Sequence, residues 1–289
     1  RGMVRLVALA LGLMVAGAQV ACSAVPPGFQ RVRPTPLDVA AAPTSERSLL
    51  DVGVAVGDVQ EFKEGELKKL GTNEDIRGFE RYFVPYHLKQ TLQMSNHWGM
   101  VRVVPDEYIS DLRVSTRLYR SNGEKLQVRV VARDGVGRIW LDKRYHADVS
   151  PASYQGTSTG SHEAFQDLYN TIANDLAAAV IARSSGDVDR IREVTGLRFA
   201  QEMAPEVFAD YTEVDSDGRV SVLRLPSRDD SMTARITKIR DRENLFIDTL
   251  DLYYDGFYRR MWTAYEDWRR LNLTERVALK QAKDEAFLR

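Results

Sequence analysis

A chain of 289 residues with 40 basic and 41 acidic side chains carries a formal net charge of -1, so no overall field draws in nucleic acid. Hydrophobic residues make up 44% and charged residues 28%, a balance that can bury a sizeable core and excludes wholesale disorder. The one cysteine, Cys22, excludes an intramolecular disulfide and a cysteine-built metal cluster.

Residues 1–21 read as a signal peptide. Arg1 and Arg5 give a positive start, Leu6 to Ala16 form a short apolar core, and Ala18-Gln19-Val20-Ala21 is a small-residue exit. The apolar stretch stops at Gln19, short of the roughly 20 residues a spanning helix needs. Val20-Ala21-Cys22 resembles a bacterial lipobox, in which signal peptidase II cuts before the cysteine and the new N-terminus is lipidated, although Gln19 stands where leucine is usual. Ser23 in place of aspartate resembles lipoproteins sorted to the outer membrane. The resemblance implies an outer-membrane lipoprotein facing the periplasm, attached to the membrane through lipid on Cys22. The alternative is an ordinary secretory signal with an incidental cysteine. Residues 22–48 carry Pro26, Pro27, Pro34, Pro36 and Pro43, too many for a helix or central strand, and predict a semi-extended tether.

Residues 49–184 predict an α+β core domain. Asp51 to Val56 is a short apolar strand covered on both faces, and the charged stretch Glu61 to Asn73 reads as a surface loop. A helix begins near Asn73 to Asp75 and carries Ile76, Phe79, Tyr82, Phe83, Tyr86, Leu88 and Leu92 on one face. Pro85 is expected to kink or split it at Val84, and Gly99 to provide its exit. From Met100 the period becomes two. Met100 to Val104, Leu112 to Tyr119, Leu126 to Val130 and Ile139 to Val149 are strands, with a type I′ turn expected at Asn122-Gly123 and another turn at Gly135 to Gly137. The fold class is therefore a mixed sheet of about four to five strands with helices packed on one face. Arg113, Arg117 and Arg129 line the other face.

The order of these elements, with LKQTLQMSNHWGMVRVVP followed by a polar strand, a turn and LQVRVVARDGVGRIWLDKRY, resembles the N-terminal domain of TolB and the periplasmic domain of the curli-secretion lipoprotein CsgG. The likeness covers about 100 of the 289 residues and brings no catalytic motif, so it implies a fold and a compartment. CsgG also inserts hairpins into the outer membrane. A lipid-facing strand cannot hold Arg113, Arg117 and Arg129 at mid-depth, where each would cost about 2–4 kcal/mol, and this disfavours a pore.

Pro151 to Ser161 is a loop, and Phe165 to Val180 an amphipathic helix that completes the core. Residues 185–289 form a mostly helical C-terminal extension. A helix spans Asp187 to Tyr211 with a break at Pro205, a short strand covers Val220 to Leu225, and a long aromatic-rich helix follows Pro226-Ser227. Its apolar seam runs Met232, Ile236, Ile239, Phe246, Leu250, Tyr253, Phe257, Met261, Tyr265 and Trp268, with an interruption at Glu243 and a charged tail after Leu273 that frays. Tyr254, Tyr258, Trp262, Tyr265 and Trp268 are the candidate partner-binding residues; the other reading of this cluster is core.

No catalytic, metal or cofactor set emerges. Glu213-x-Asp215-x-Asp217-Gly218 begins like a calcium loop, but position twelve is Arg224 and the segment reads as a polar turn. His87, His97, His146 and His162 lack metal-ligand spacing, Ser158, Ser161 and His162 lack a nucleophile-elbow context, and Gly53 and Gly57 do not make a dinucleotide fingerprint. Three functions stay open: a non-catalytic envelope scaffold that uses the sheet edge or the aromatic helix to bind a protein partner, an envelope hydrolase with an unrecognised site, and a CsgG-like oligomeric secretion component. The sequence leaves the oligomeric state undefined.

Overall fold

The computed structural model describes residues 35–41, 49–154, 163–227 and 229–288. Cys22, the signal peptide and Ser158, Ser161 and His162 lie outside the described residues. The body has two kinds of strand neighbour. β1 (Val52–Ala55) pairs in parallel with β3 (Val101–Val104) on one side and with β4 (Leu112–Ser121) on the other. β4, β5 (Lys125–Asp134) and β6 (Ile139–Asp148) then form an antiparallel meander, giving the order β3-β1-β4-β5-β6. β2 (Asp58–Val59) adds a short parallel pairing to the far end of β4. This is the expected mixed α+β sheet.

One face of the sheet is dry. Val52, Val54, Val101, Val103, Leu112, Val114, Val128 and Val130 point into a core closed by α2 (Glu74–Met94) and α3 (Gln166–Ile181). The other face carries the arginines, each held by an acid: Arg113 by Asp106, Arg117 by Asp58 and Arg129 by Asp142. Arg117 and Arg129 sit directly opposite each other in the β4–β5 register, so the two aspartates offset a like-charge cross-strand pair.

α2 starts where the sequence places it. Asn73 is the N-cap, its side chain accepting from the Ile76 amide, and Glu74 and Asp75 sit in the first turn. It does not split at Pro85. The proline removes the donor that would bond the Arg81 carbonyl, and the Gly57 amide takes that carbonyl at 2.7 Å instead. The helix ends at Ser95 rather than Gly99, with Asn96 adopting the left-handed conformation (φ 57°). At the β4–β5 turn only Gly123 has positive φ, because the Asn122 side chain caps the turn by accepting from the Glu124 and Lys125 amides. The segment expected as a loop contains α1 (Glu64–Leu70), closed by a capping interaction between Lys63 and Glu66 and by Gly71 in the left-handed region.

Two boundaries change. Thr35–Ala41 belongs to the body, not to a free tether: the Thr35 amide donates to Asp167 and the Asp38 amide to Asn174, both on α3, and Ala40 donates to the Ser95 carbonyl. No seam divides the molecule at residue 184 either, since 35–289 form one compact unit. α4 (Ser185–Met203) is capped by Ser184; α5 (Pro205–Phe208) and the hairpin β7 (Thr212–Val214) and β8 (Val220–Val222) follow. Finally, α6 (Ser231–Phe287) runs as one 57-residue helix, still helical beyond Leu273.

Candidate functional site

α6 explains its own orientation. Asp248, Asp251 and Asp255 fall at steps of three and four and so share one face of the helix. They meet Arg102, Lys89 and the Tyr86 hydroxyl respectively, at 2.5, 2.6 and 2.6 Å. Further along the same face the Tyr265 hydroxyl donates to Glu80 at 2.5 Å, the Tyr258 hydroxyl meets His87 Nδ1 at 2.6 Å, and Asn272 donates to the Gly71 carbonyl. This polar ladder fastens α6 along α2.

Of the five candidate partner-binding residues, Tyr258, Trp262 and Tyr265 are buried between α6 and α2, packed on Phe83 with ring centroids at 5.0, 5.7 and 4.6 Å. Tyr254 and Trp268 are partly buried at the edge of the same cluster, Tyr254 stacked on Tyr82. The structure thus brings all five together, as the anchoring side of the helix. Stacked and tilted rings of this kind add about 0.5–1.5 kcal/mol per pair beyond area burial.

Beneath these rings lies a buried ionic pair. Arg269 is 1% exposed and Glu163 2%, and both oxygens of Glu163 accept from the two terminal nitrogens of Arg269. Burial works against both charges, yet their mutual attraction prevails, holding the Glu163 carboxyl below and the Arg269 guanidinium above its ordinary value. Burial pushes the nearby Glu80 carboxyl up. Burial likewise holds His87 below its usual value, with the Glu163 charge acting in the opposite sense. Since Gln166 Oε1 only accepts, His87 Nε2 donates to it and the neutral ring's Nδ1 accepts from Tyr258. Most of these polar groups are spent on one another, with Trp262 Nε1 and Arg269 Nε left without a hydrogen-bond partner among the described residues, and this cluster acts as a mount.

The opposite face of α6 has a different composition. Phe246 is 61% exposed, Leu245 67%, and Leu252 and Tyr253 73% each; Ile239, Phe257, Met261 and Leu271 continue the exposed apolar run. Ile239, Phe246, Tyr253 and Phe257 follow steps of seven, seven and four, the spacing of one helical stripe, while Leu250 beside them is half-buried against Val104, Tyr108 and Ile247. Exposed Arg242 and Arg260 flank it. The sequence seam therefore divides into a buried arc and an open one.

A second candidate is a cleft between α4, the first turns of α6 and the strand ends. One end is a polar cavity of about 220 Å³ holding Asp51, Arg102, Ser110, Asp111, Arg192 and Arg240. The adjoining cavity of about 440 Å³ is walled by Leu197, Phe199, Phe208, Leu225, Pro226 and Ile236. Both share Arg192, Thr195, Gly196 and Arg240, and Gly196 leaves open space where a side chain would stand. Burial pushes the Asp111 carboxyl up, and the charge of Asp51 adds to the shift. The two carboxylates already serve the backbone: Asp111 accepts from the Asp51 amide and Asp51 from the Met100 amide. Sequence reasoning missed this cleft because its residues are scattered from 51 to 244 without a motif.

The remaining candidates fall into structural roles. Asp215 accepts from the Asp217 and Arg219 amides and Gly218 is left-handed (φ 74°), so the calcium-like segment is the β7–β8 turn. His97 lies 3.6 Å from Asp38, and His146 is on the exposed side of β6. Among the described residues no group of three or more His, Cys, Asp or Glu is placed to hold a metal, and no helix is long and apolar enough to cross a membrane. No protein-family model matches the chain, and no curated protein matches it.

Proposed function

We propose that this chain is a lipid-anchored, non-catalytic binding and assembly protein of the bacterial envelope, facing the periplasm from the outer membrane, and that the open face of α6 holds its protein partner. The observation that carries this reading is the exposed stripe of Phe246, Tyr253 and Phe257 with Leu245 and Leu252, on a helix whose other face is fastened by buried rings and ion pairs. A rigid apolar helical face bordered by arginines has the composition of a protein-interface anchor, and it requires little ordering on binding. The lipobox-like Val20-Ala21-Cys22 and the TolB- and CsgG-like order of elements support the compartment.

The test is a photo-reactive residue at Tyr253, compared with one at exposed Lys280, in the intact envelope. A discrete adduct from position 253, lost when Leu252→Asp is added and unmatched at 280, supports the reading. Equal labelling at both positions, or a Tyr253 adduct unaffected by Leu252→Asp, removes it. The anchor is tested separately, by palmitate labelling that disappears in Cys22→Ser together with membrane fractionation.

The cleft favours a second reading, an envelope enzyme that uses Asp51 and Asp111. Their use as backbone acceptors places it behind the first. Asp111→Asn with intact folding and loss of a hydrolytic activity in the purified protein would reverse the order.

A further inference from the structure

The two edges of the sheet are not alike. β3 ends against α6, where Arg102 is gripped by Asp248, whereas β6 bonds to β5 along one side and, among the described residues, to nothing along the other. A ten-residue strand with one free side presents a row of unpaired amides and carbonyls, a template for another strand. Edges of this length are normally blunted by charge, and β6 carries Asp142, Lys143, Arg144 and Asp148. The arrangement of those charges is what identifies the strand that fits.

Antiparallel pairing of two identical edges requires a two-fold axis perpendicular to the sheet, so facing residues lie on the same side of it and their numbers sum to an even value. Centring the axis on Asp142 or on Arg144 sets two equal charges of the exposed face against each other. Centring it on Lys143 places Asp142 opposite Arg144 of the second copy, twice, on the exposed face, and Leu141 opposite Tyr145 on the face that α3 covers. The lysine that then meets its own copy is already neutralised, since its ammonium is held by Asp175 at 2.8 Å. Asp142 and Arg144 are preset for this role: Arg129 orients the Asp142 carboxylate, and the Arg144 guanidinium sits over the Tyr119 ring at 3.9 Å from its centroid.

We propose that β6 is a homodimerisation edge, which pairs antiparallel with β6 of a second copy in the register centred on Lys143 and makes one continuous sheet. This is independent of the α6 face, which it leaves open on both subunits.

The chain's only natural cysteine makes the test clean. In the 289-residue chain carrying Cys22→Ser, sedimentation velocity over a rising concentration series should show a monomer–dimer equilibrium. Added Lys143→Cys should form a disulfide-linked dimer on mild oxidation, because position 143 faces itself; Ile139→Cys alone should not. Asp142→Arg should weaken the dimer by about tenfold or more, and Asp142→Arg with Arg144→Asp should restore it. A protein monomeric up to about 200 µM overturns the proposal. So does a dimer in which Lys143→Cys cross-links no better than Ile139→Cys, or one in which the charge swap fails to rescue while both variants keep the parent's thermal transition.

Discussion

The Arg81 carbonyl, freed from its helix by Pro85, accepts a hydrogen bond from the Gly57 amide at 2.7 Å. A residue that would be expected to weaken α2 instead ties its middle to the link between β1 and β2. A Cβ at position 57 would lie 2.8 Å from that same carbonyl oxygen. Gly57→Ala should therefore cost about 1–3 kcal/mol, the range for orphaning a buried backbone group. Denaturant midpoints measure the loss, and slow hydrogen exchange at the Gly57 amide in the parent checks the cause.

The Glu163–Arg269 pair gives a sharper contrast. Removing one partner leaves an uncompensated buried charge, so Glu163→Leu or Arg269→Met alone should cost about 3–5 kcal/mol. Removing both should cost much less than the sum, which a double-mutant cycle in chemical denaturation reads directly.

His87 makes stability depend on pH in a definite direction. Its folded-state pKa is lowered by burial, so the unfolded chain takes up the proton first. Its contribution is fully present above the unfolded value of about 6.5 and is lost as the pH falls through that value toward the folded one. Between about pH 7 and pH 5 the parent should lose stability more steeply than His87→Gln, as seen in midpoints measured at each pH.

The two arcs of α6 should separate by mutation. Trp262→Ala empties a buried ring site and should cost about 3–5 kcal/mol, whereas Leu252→Ala and Tyr253→Ala should change stability by no more than about 0.5 kcal/mol. Thermal transitions measure both sets. Partner capture in the envelope should fail in the second set although those proteins remain folded.

Much of the scaffold was legible in the sequence because its signals are local. Alternation marked the meander, and Asn73 marked the start of α2, whereas the Ser184 cap of α4 was not read as a start. What was not legible depends on distant partners. The seam of α6 contains both Tyr258 and Tyr253 at helical spacing, and only the positions of Glu80, His87, Lys89 and Arg102 decide which arc turns inward. β2 is too short for a period to show, and Glu64–Leu70 lacks a strong apolar stripe. Gly123 could be placed in a turn, but Asn122 supplies a side-chain acceptor rather than a second left-handed residue.

The docking of Thr35–Ala41 shortens the leash. Were Cys22 lipidated, only residues 23–34 would separate the bilayer from the folded body, a reach of about 40 Å when fully extended. A body confined to so thin a shell meets other membrane-attached molecules at an effective concentration far above its average in the compartment. Modest affinity at the open face of α6 or at the β6 edge would then suffice for occupancy in the envelope, and the same contacts would dilute apart once the chain was released.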